Sequence, residues 1–170
     1  MAGVREIQIE PHVDDRGFFA RTWCQKEFEE QGLNPRISQC SVSFNQKKGT
    51  LRGLHYQGAP YPEAKLVRCT QGSLYEVVVD IRPQSPTFKQ WIKLDLDAQK
   101  RNMVYVPEGC AHGFLTLEDA TEVLYQISEF YHPELSRGVR WNDPAFKIEW
   151  PAEVKVISDR DRAYPDFLSA

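Results

Sequence analysis

Lys65-Leu66-Val67-Arg68-Cys69-Thr70-Gln71-Gly72-Ser73-Leu74-Tyr75-Glu76-Val77-Val78-Val79-Asp80-Ile81 reads as two strands joined by a turn. Apolar residues alternate with polar ones over Lys65–Cys69, β-branched and aromatic residues fill Ser73–Ile81, and Gln71-Gly72 supplies turn chemistry between them. The same signature recurs outward in both directions, at Val4–Ile9, Arg36–Phe44, Trp91–Leu96, Met103–Val106, Gly113–Leu117 and Glu122–Tyr131. Lys47-Lys48-Gly49, Arg82-Pro83 and Pro107-Glu108-Gly109 punctuate it. Short strands at this spacing predict an antiparallel sandwich or barrel.

Helical signal is confined to Gln25–Gln31, which runs into Gly32, and to the tail after Ser158. Pro133 and Trp141-Asn142-Asp143-Pro144 mark an irregular, aromatic-rich C-terminal third, expected to pack over the barrel. Neither a linker nor a repeat divides the 170 residues, so a single domain over 1–170 is expected. With 41% hydrophobic and 26% charged residues the chain has the material for a sizeable core. A net charge of −3 argues against a general affinity for nucleic acid or anionic membrane, since both need a concentrated positive field.

The start, MAGVREIQIE, carries charges where a secretory leader needs its apolar core, and no apolar run approaches membrane-spanning length. Cys24, Cys40, Cys69 and Cys110 are spread without a CxxC pair, which predicts reduced thiols and a cytoplasmic protein.

The chain has four histidines. His12 and His132 neighbour Pro11 and Pro133 and read as surface loop residues. His55 follows Arg52-Gly53-Leu54, and His112 closes Pro107-Glu108-Gly109-Cys110-Ala111. Either one alone reads as a satisfied sheet histidine. Together with Arg52, Lys65, Arg68 and Tyr75 on neighbouring strands, they point to a lined cavity, because the interior of a small barrel is normally apolar.

Metal chemistry is poorly provided for. Pro107-x-Gly109-x-x-His112 has the form of the second cupin motif, but the strand at His55-Tyr56-Gln57 offers one imidazole and no nearby acidic ligand, so no metal site is expected. Nucleophile elbows, Gly-rich phosphate loops and activated cysteines are also missing from the sequence. General acid–base chemistry remains: His55 is the natural base, and Tyr125 and Tyr131, both on the run Glu122–Tyr131, are candidate proton donors facing it.

Asp15-Arg16-Gly17-Phe18-Phe19, Gly49-Thr50-Leu51-Arg52-Gly53-Leu54-His55-Tyr56-Gln57, Lys65-Leu66-Val67-Arg68, Val79-Asp80-Ile81-Arg82, Val106–Phe114, Tyr125, Trp141-Asn142-Asp143-Pro144 and Ser158-Asp159-Arg160-Asp161 stand in an order and spacing that resemble the dTDP-4-dehydrorhamnose 3,5-epimerase family, over nearly the whole chain. The resemblance implies an all-β, cupin-like jelly-roll barrel with a few short helices. It also implies a homodimer, no metal or other cofactor, and a nucleoside-diphosphate 4-keto-6-deoxy sugar as substrate.

By the same resemblance His55 abstracts a proton at C3 or C5 and Asp161 orients it. Lys65 stabilises the enolate oxygen, and Tyr125 protonates the opposite face. Arg16, Arg52 and Arg160 match positions that grip the diphosphate or nucleotide, and His112 lines the sugar pocket.

Three departures fall at positions that, by resemblance, touch the nucleotide. Arg21 replaces a Glu, Gln39-Cys40-Ser41 replaces Gln-Asp-Asn, and Ser136 replaces a Glu. A guanidinium donates where a carboxylate accepts, so weaker discrimination in favour of thymidine is expected. Competing readings are an epimerase acting at one carbon or on a CDP- or GDP-linked sugar, a ketoisomerase, and a non-catalytic cupin that binds sugar nucleotides.

Overall fold

The computed structural model describes residues 1–167. Three short strands open the chain: β1 (Arg5–Ile7), β2 (His12–Asp14) and β3 (Gly17–Phe19). Helix α1 (Gln25–Glu30) follows, then β4 (Gln39–Asn45), β5 (Thr50–Gln57), β6 (Lys65–Gln71), β7 (Ser73–Asp80), β8 (Trp91–Asp97), β9 (Met103–Val106), β10 (Cys110–Thr116) and β11 (Thr121–Ile127). A 3-10 turn at Pro133–Leu135 leads to β12 (Ser136–Gly138) and β13 (Val156–Ile157), and α2 (Asp159–Arg162) closes the series.

The long strands form two facing sheets, in the orders β1-β9-β6-β11-β4 and β12-β5-β10-β7-β8, with β13 parallel to the start of β5. Their inner faces share one core, built from Val67, Cys69, Val104, Val106 and Val123 of the first sheet and Leu74, Val78, Leu96, Cys110 and Phe114 of the second. This is the jelly-roll barrel expected from the sequence. The outer face of the second sheet carries Tyr75, Val77 and Val79. As expected, the aromatic C-terminal third covers it, through Phe146, Ile148, Trp150 and Phe167.

Several boundaries differ from the sequence expectation. Arg36–Ser38 precede β4, and β11 ends at Ile127, so Tyr131 lies on a connecting segment and not on a strand. The β2–β3 hairpin is too short and too exposed to leave an alternating pattern. Arg68 and Tyr75 do not line the cavity inside the barrel. On β6 the inward set is Lys65, Val67 and Cys69, and on β7 it is Leu74, Glu76 and Val78, so period two turns both residues outward. The Tyr75 hydroxyl instead donates to the Glu149 carbonyl at 3.0 Å. His132 is half-buried, stacked on Tyr61 at 4.5 Å.

Candidate active site

One end of the barrel opens into a cavity of about 460 Å³, within the range of small-molecule sites. The first sheet contributes Gln39, Ser41, Ser43, Lys65 and Tyr125 to its wall, and the second contributes Arg52, His55, Gln57, His112 and Ser136. Lysine, arginine, histidine and tyrosine therefore converge where a packed barrel would place aliphatic side chains.

A crossing of two glycines sets the two imidazoles side by side. Gly53 has φ +126, and a Cβ there would lie 2.6 Å from the Gly113 Cα; a Cβ on Gly113 would meet the Arg52 carbonyl at 2.5 Å. Strands β5 and β10 approach through this contact, and their register shifts between His112 and Phe114. Arg52 and His55, three residues apart, both reach the cavity as a result, and His112 becomes the cross-strand partner of His55.

His55 Nε2 lies 2.7 Å from Asp161 Oδ1. The Asp161 carboxyl also accepts from the Gly53 amide at 3.1 Å, and Ser158 Oγ caps the Asp161 amide at 3.1 Å. Burial opposes ionisation of this carboxyl, but the His55 bond, the Gly53 amide and Ser158 together hold it below the usual aspartate range. An ionised Asp161 accepts the Nε2 proton, which leaves the lone pair of the neutral imidazole on Nδ1.

The second imidazole has its own carboxyl. His112 Nδ1 is 2.6 Å from Glu76 Oε1, and Glu76 is completely buried with Oε2 unbonded. Burial pushes the Glu76 carboxyl well up against the opposing charge of Lys65. Burial also pushes His112 well down, and the neighbouring Lys65 and His55 side chains add to that shift. Both shifts favour a pair of zero net charge.

Across the barrel the Tyr125 hydroxyl is 3.2 Å from Ser43 Oγ, and its ring is 6.3 Å from that of His112. Burial raises the Tyr125 phenol well above its ordinary value, so it enters chemistry protonated. Lys65 Nζ is fixed by Glu63 Oε1 at 2.8 Å. Arg52 Nε donates to Asn45 Oδ1 at 2.7 Å, and Arg160 Nη2 to Ser136 Oγ at 2.7 Å.

The cavity thus collects His55, Lys65 and Tyr125, and Asp161 stands directly behind His55. It also collects Gln39, Ser41, Arg52, His112, Ser136 and Arg160. It does not collect Arg16 or Arg21 within one chain. Arg16 sits at the tip of the β2–β3 hairpin against Asp14, 90% exposed, and Arg21 pairs with Glu27 at 3.1 Å in a separate groove. Glu63, Glu76 and Ser43 are site residues that the sequence reading did not pick out. Tyr131 reaches the cavity from its connecting segment, but with its side chain open to solvent.

Among the described residues no three of His, Cys, Asp and Glu gather as a metal site. Among the same residues no helix is long and apolar enough to cross a membrane. All four cysteines are free, and burial pushes the Cys69 and Cys110 thiols up to about 11 and about 12, far from a reactive thiolate.

Comparison with known proteins agrees with this geometry. The family model described as dTDP-4-dehydrorhamnose 3,5-epimerase matches residues 1–169. The dTDP-4-dehydrorhamnose 3,5-epimerase of Shigella flexneri is 43% identical over 165 residues, covering 95% of this chain and 91% of the relative. Among solved structures, the Bacillus anthracis dTDP-4-dehydrorhamnose 3,5-epimerase with TDP and pyrophosphate bound superposes with a TM-score of 0.93 at 39% identity, over 97% of this chain and 94% of that one. The Legionella pneumophila dTDP-6-deoxy-D-glucose-3,5-epimerase in complex with dTDP-4-keto-L-rhamnose gives 0.87 at 34% identity, over 98% and 94%. A barrel cavity with an Asp-backed histidine facing a buried tyrosine, matched along its whole length in sequence and in fold, places this chain in the dTDP-4-dehydrorhamnose 3,5-epimerase family.

Proposed function

We propose that the chain epimerises a dTDP-linked 4-keto-6-deoxyhexose at C3 and C5 by proton removal and redelivery through an enolate, without a cofactor. The observation that carries this reading is the placement of His55 and Tyr125 on opposite sheets around one cavity that Lys65 also lines.

A proton α to a ketone is too weakly acidic for imidazole unless the developing oxyanion meets a preorganised cation. A donor in the place of Lys65 contributes about 3 to 4 kcal/mol to lowering such a barrier. His55 Nδ1 takes the proton, Asp161 stabilises the imidazolium that forms, and Tyr125 delivers a proton from the other face, which inverts the centre. His112, held neutral in its pair with Glu76, offers Nε2–H to a sugar oxygen.

Arg52 and Arg160, each fixed by a neutral side-chain acceptor, retain donors for the diphosphate. The bound TDP of the Bacillus relative and the bound keto sugar of the Legionella relative support this substrate class. The free thiols support a cytoplasmic location.

A homodimer belongs to the same reading. β4 is a seven-residue edge strand with Val42 and Phe44 at least half-exposed, and the β2–β3 hairpin presents Val13 and Phe19 largely bare. Covering both with a second copy removes an open edge and an apolar patch, and gives Arg16 and Arg21 a route to a neighbouring cavity.

The test is deuterium incorporation. Incubated in D₂O with the protein, dTDP-4-keto-6-deoxyglucose gains label at C3 and C5 by NMR. No label at either carbon overturns the reading in favour of a binding protein, and label at one carbon alone restricts it to a single-centre epimerase. Light scattering at twice the chain mass checks the dimer, and calorimetry with dTDP, CDP, UDP and GDP reads the base preference.

A further inference from the structure

Strand β5 has a neighbour on each side of His55. On one side the residue paired with it is His112; on the other it is Gly138 of β12. A Cβ on Gly138 would stand 2.2 Å from the ring of Tyr164. That ring therefore occupies the volume where a side chain at position 138 would flank the imidazole. It meets the His55 ring edge-on, with centroids 6.2 Å apart and planes at 70°.

Tyr164 leaves α2 three residues after Asp161, so one short helix delivers both the carboxylate behind His55 and the ring beside it. The phenol oxygen is buried and turned away from His55 toward the Arg160 guanidinium. The ring, not the hydroxyl, is the part that meets His55.

We propose that Tyr164 is a positioning residue for His55, its ring seated in the gap left by Gly138 so that it fixes the plane of the imidazole and keeps water from the Asp161 carboxylate. Asp161 restrains Nε2 alone. An imidazole tied at one atom still swings about that bond, and a base must point its lone pair at a carbon acid within a narrow cone to be efficient. His112 limits the swing on one flank, and Tyr164 limits it on the other.

This inference rests on His55 being the base, and the D₂O exchange assay separates the two. A parent protein that incorporates no deuterium removes the reading of His55. A parent that exchanges normally, with Tyr164→Ala equal to it, removes only the role of Tyr164.

The expected result is that Tyr164→Ala lowers kcat by more than about fivefold while KM moves less, a barrier change near 1 kcal/mol. Tyr164→Phe, which keeps the ring, restores kcat. Gly138→Ala expels the ring and reproduces the loss, and in the Tyr164→Ala background it adds nothing, because both changes act through one contact. The proposal is overturned if Tyr164→Ala stays within about fivefold of the parent kcat, if the loss appears in KM alone, or if Gly138→Ala is harmless. Thermal melts accompany each variant; should Tyr164→Ala fail to fold at the assay temperature, Gly138→Ala and the Phe rescue decide on the same thresholds.

Discussion

Two histidine–carboxyl pairs stand next to each other on β5 and β10, and their surroundings give them opposite characters. His55 is open at the cavity, with 36% of its side chain exposed, and its Asp161 is anchored by a backbone amide and a capping serine. His112 is sealed at 5% exposure, and its Glu76 has one oxygen without a hydrogen-bond partner among the described residues. Hydrogen bonds keep the first carboxyl ionised. Desolvation keeps the second pair at zero net charge. The same two residue types therefore yield an imidazole backed by an ionised carboxylate and open to the cavity, and a second imidazole that resists gaining a proton.

Breaking the first pair has the largest expected effect. His55→Asn removes the proton acceptor, and deuterium exchange at both carbons falls by roughly a thousandfold, in the range of a general base. Asp161→Asn leaves the shape but replaces an acceptor with an amide that donates to Nε2. The imidazole proton then moves to Nδ1, the nitrogen that must be free, and exchange falls by about a hundredfold or more. His112→Asn, on the sealed side, loses much less. If the exchange rates of the His55 and His112 variants fell equally, the division of roles between the two pairs would be wrong.

Tyr125→Phe sharpens the contrast from across the barrel. It removes one hydroxyl, leaves the ring packed, and blocks delivery without blocking abstraction. Label washes in from D₂O faster than epimer accumulates, with completed inversion down by about a hundredfold. Equal losses of washout and inversion would reduce Tyr125 to a packing role.

Why the sequence showed one pair and not the other is a matter of alternation. His55, Lys65, Tyr125 and Asp161 were legible from residue type and from the family pattern, and the eight strand runs were legible from period two. Glu76 was equally available: Leu74, Glu76 and Val78 form the inward set of β7, and a carboxylate in that set is an anomaly. The residue of that run that stands out by type is its neighbour Tyr75, one residue out of phase and turned outward. Arg68 on β6 is out of phase in the same way. The register shift opposite Gly53 and Gly113, which brings Arg52 and His55 to one wall, leaves no signature in a single sequence. Nor does the seat of Tyr164, since it depends on a glycine 26 residues upstream.

The smallest expected effect is on stability, and its sign distinguishes the two pairs. In the folded protein the His112–Glu76 pair holds one proton, because burial raises the carboxyl from its ordinary 4.5 and lowers the imidazole from its ordinary 6.5. Unfolded, the two groups hold two protons below 4.5, one between 4.5 and 6.5, and none above 6.5. The pair's contribution is therefore flat between those values. It falls as pH drops below 4.5, where unfolding takes up a proton, and it falls as pH rises above 6.5, where unfolding releases one.

Glu76→Gln leaves a neutral His112 in the folded state, so the variant loses the alkaline decline and acquires one between 6.5 and 4.5. Parent minus variant then decreases steadily above 4.5, by at most about 1.4 kcal/mol per pH unit. That is the behaviour of a raised carboxyl, whose contribution is complete below its unfolded pKa and is lost as pH climbs through the folded one. Asp161→Asn must act in the other sense, since its lowered carboxyl contributes above 3.8 and loses that contribution as pH falls through the folded value. Urea unfolding of the parent and Glu76→Gln from about pH 4 to 8, with the parent and Asp161→Asn followed further down to about pH 2, reads all three slopes. Parallel curves for the parent and Glu76→Gln across that range would mean that Glu76 is ionised in the folded state, and that His112 faces the cavity as an acceptor.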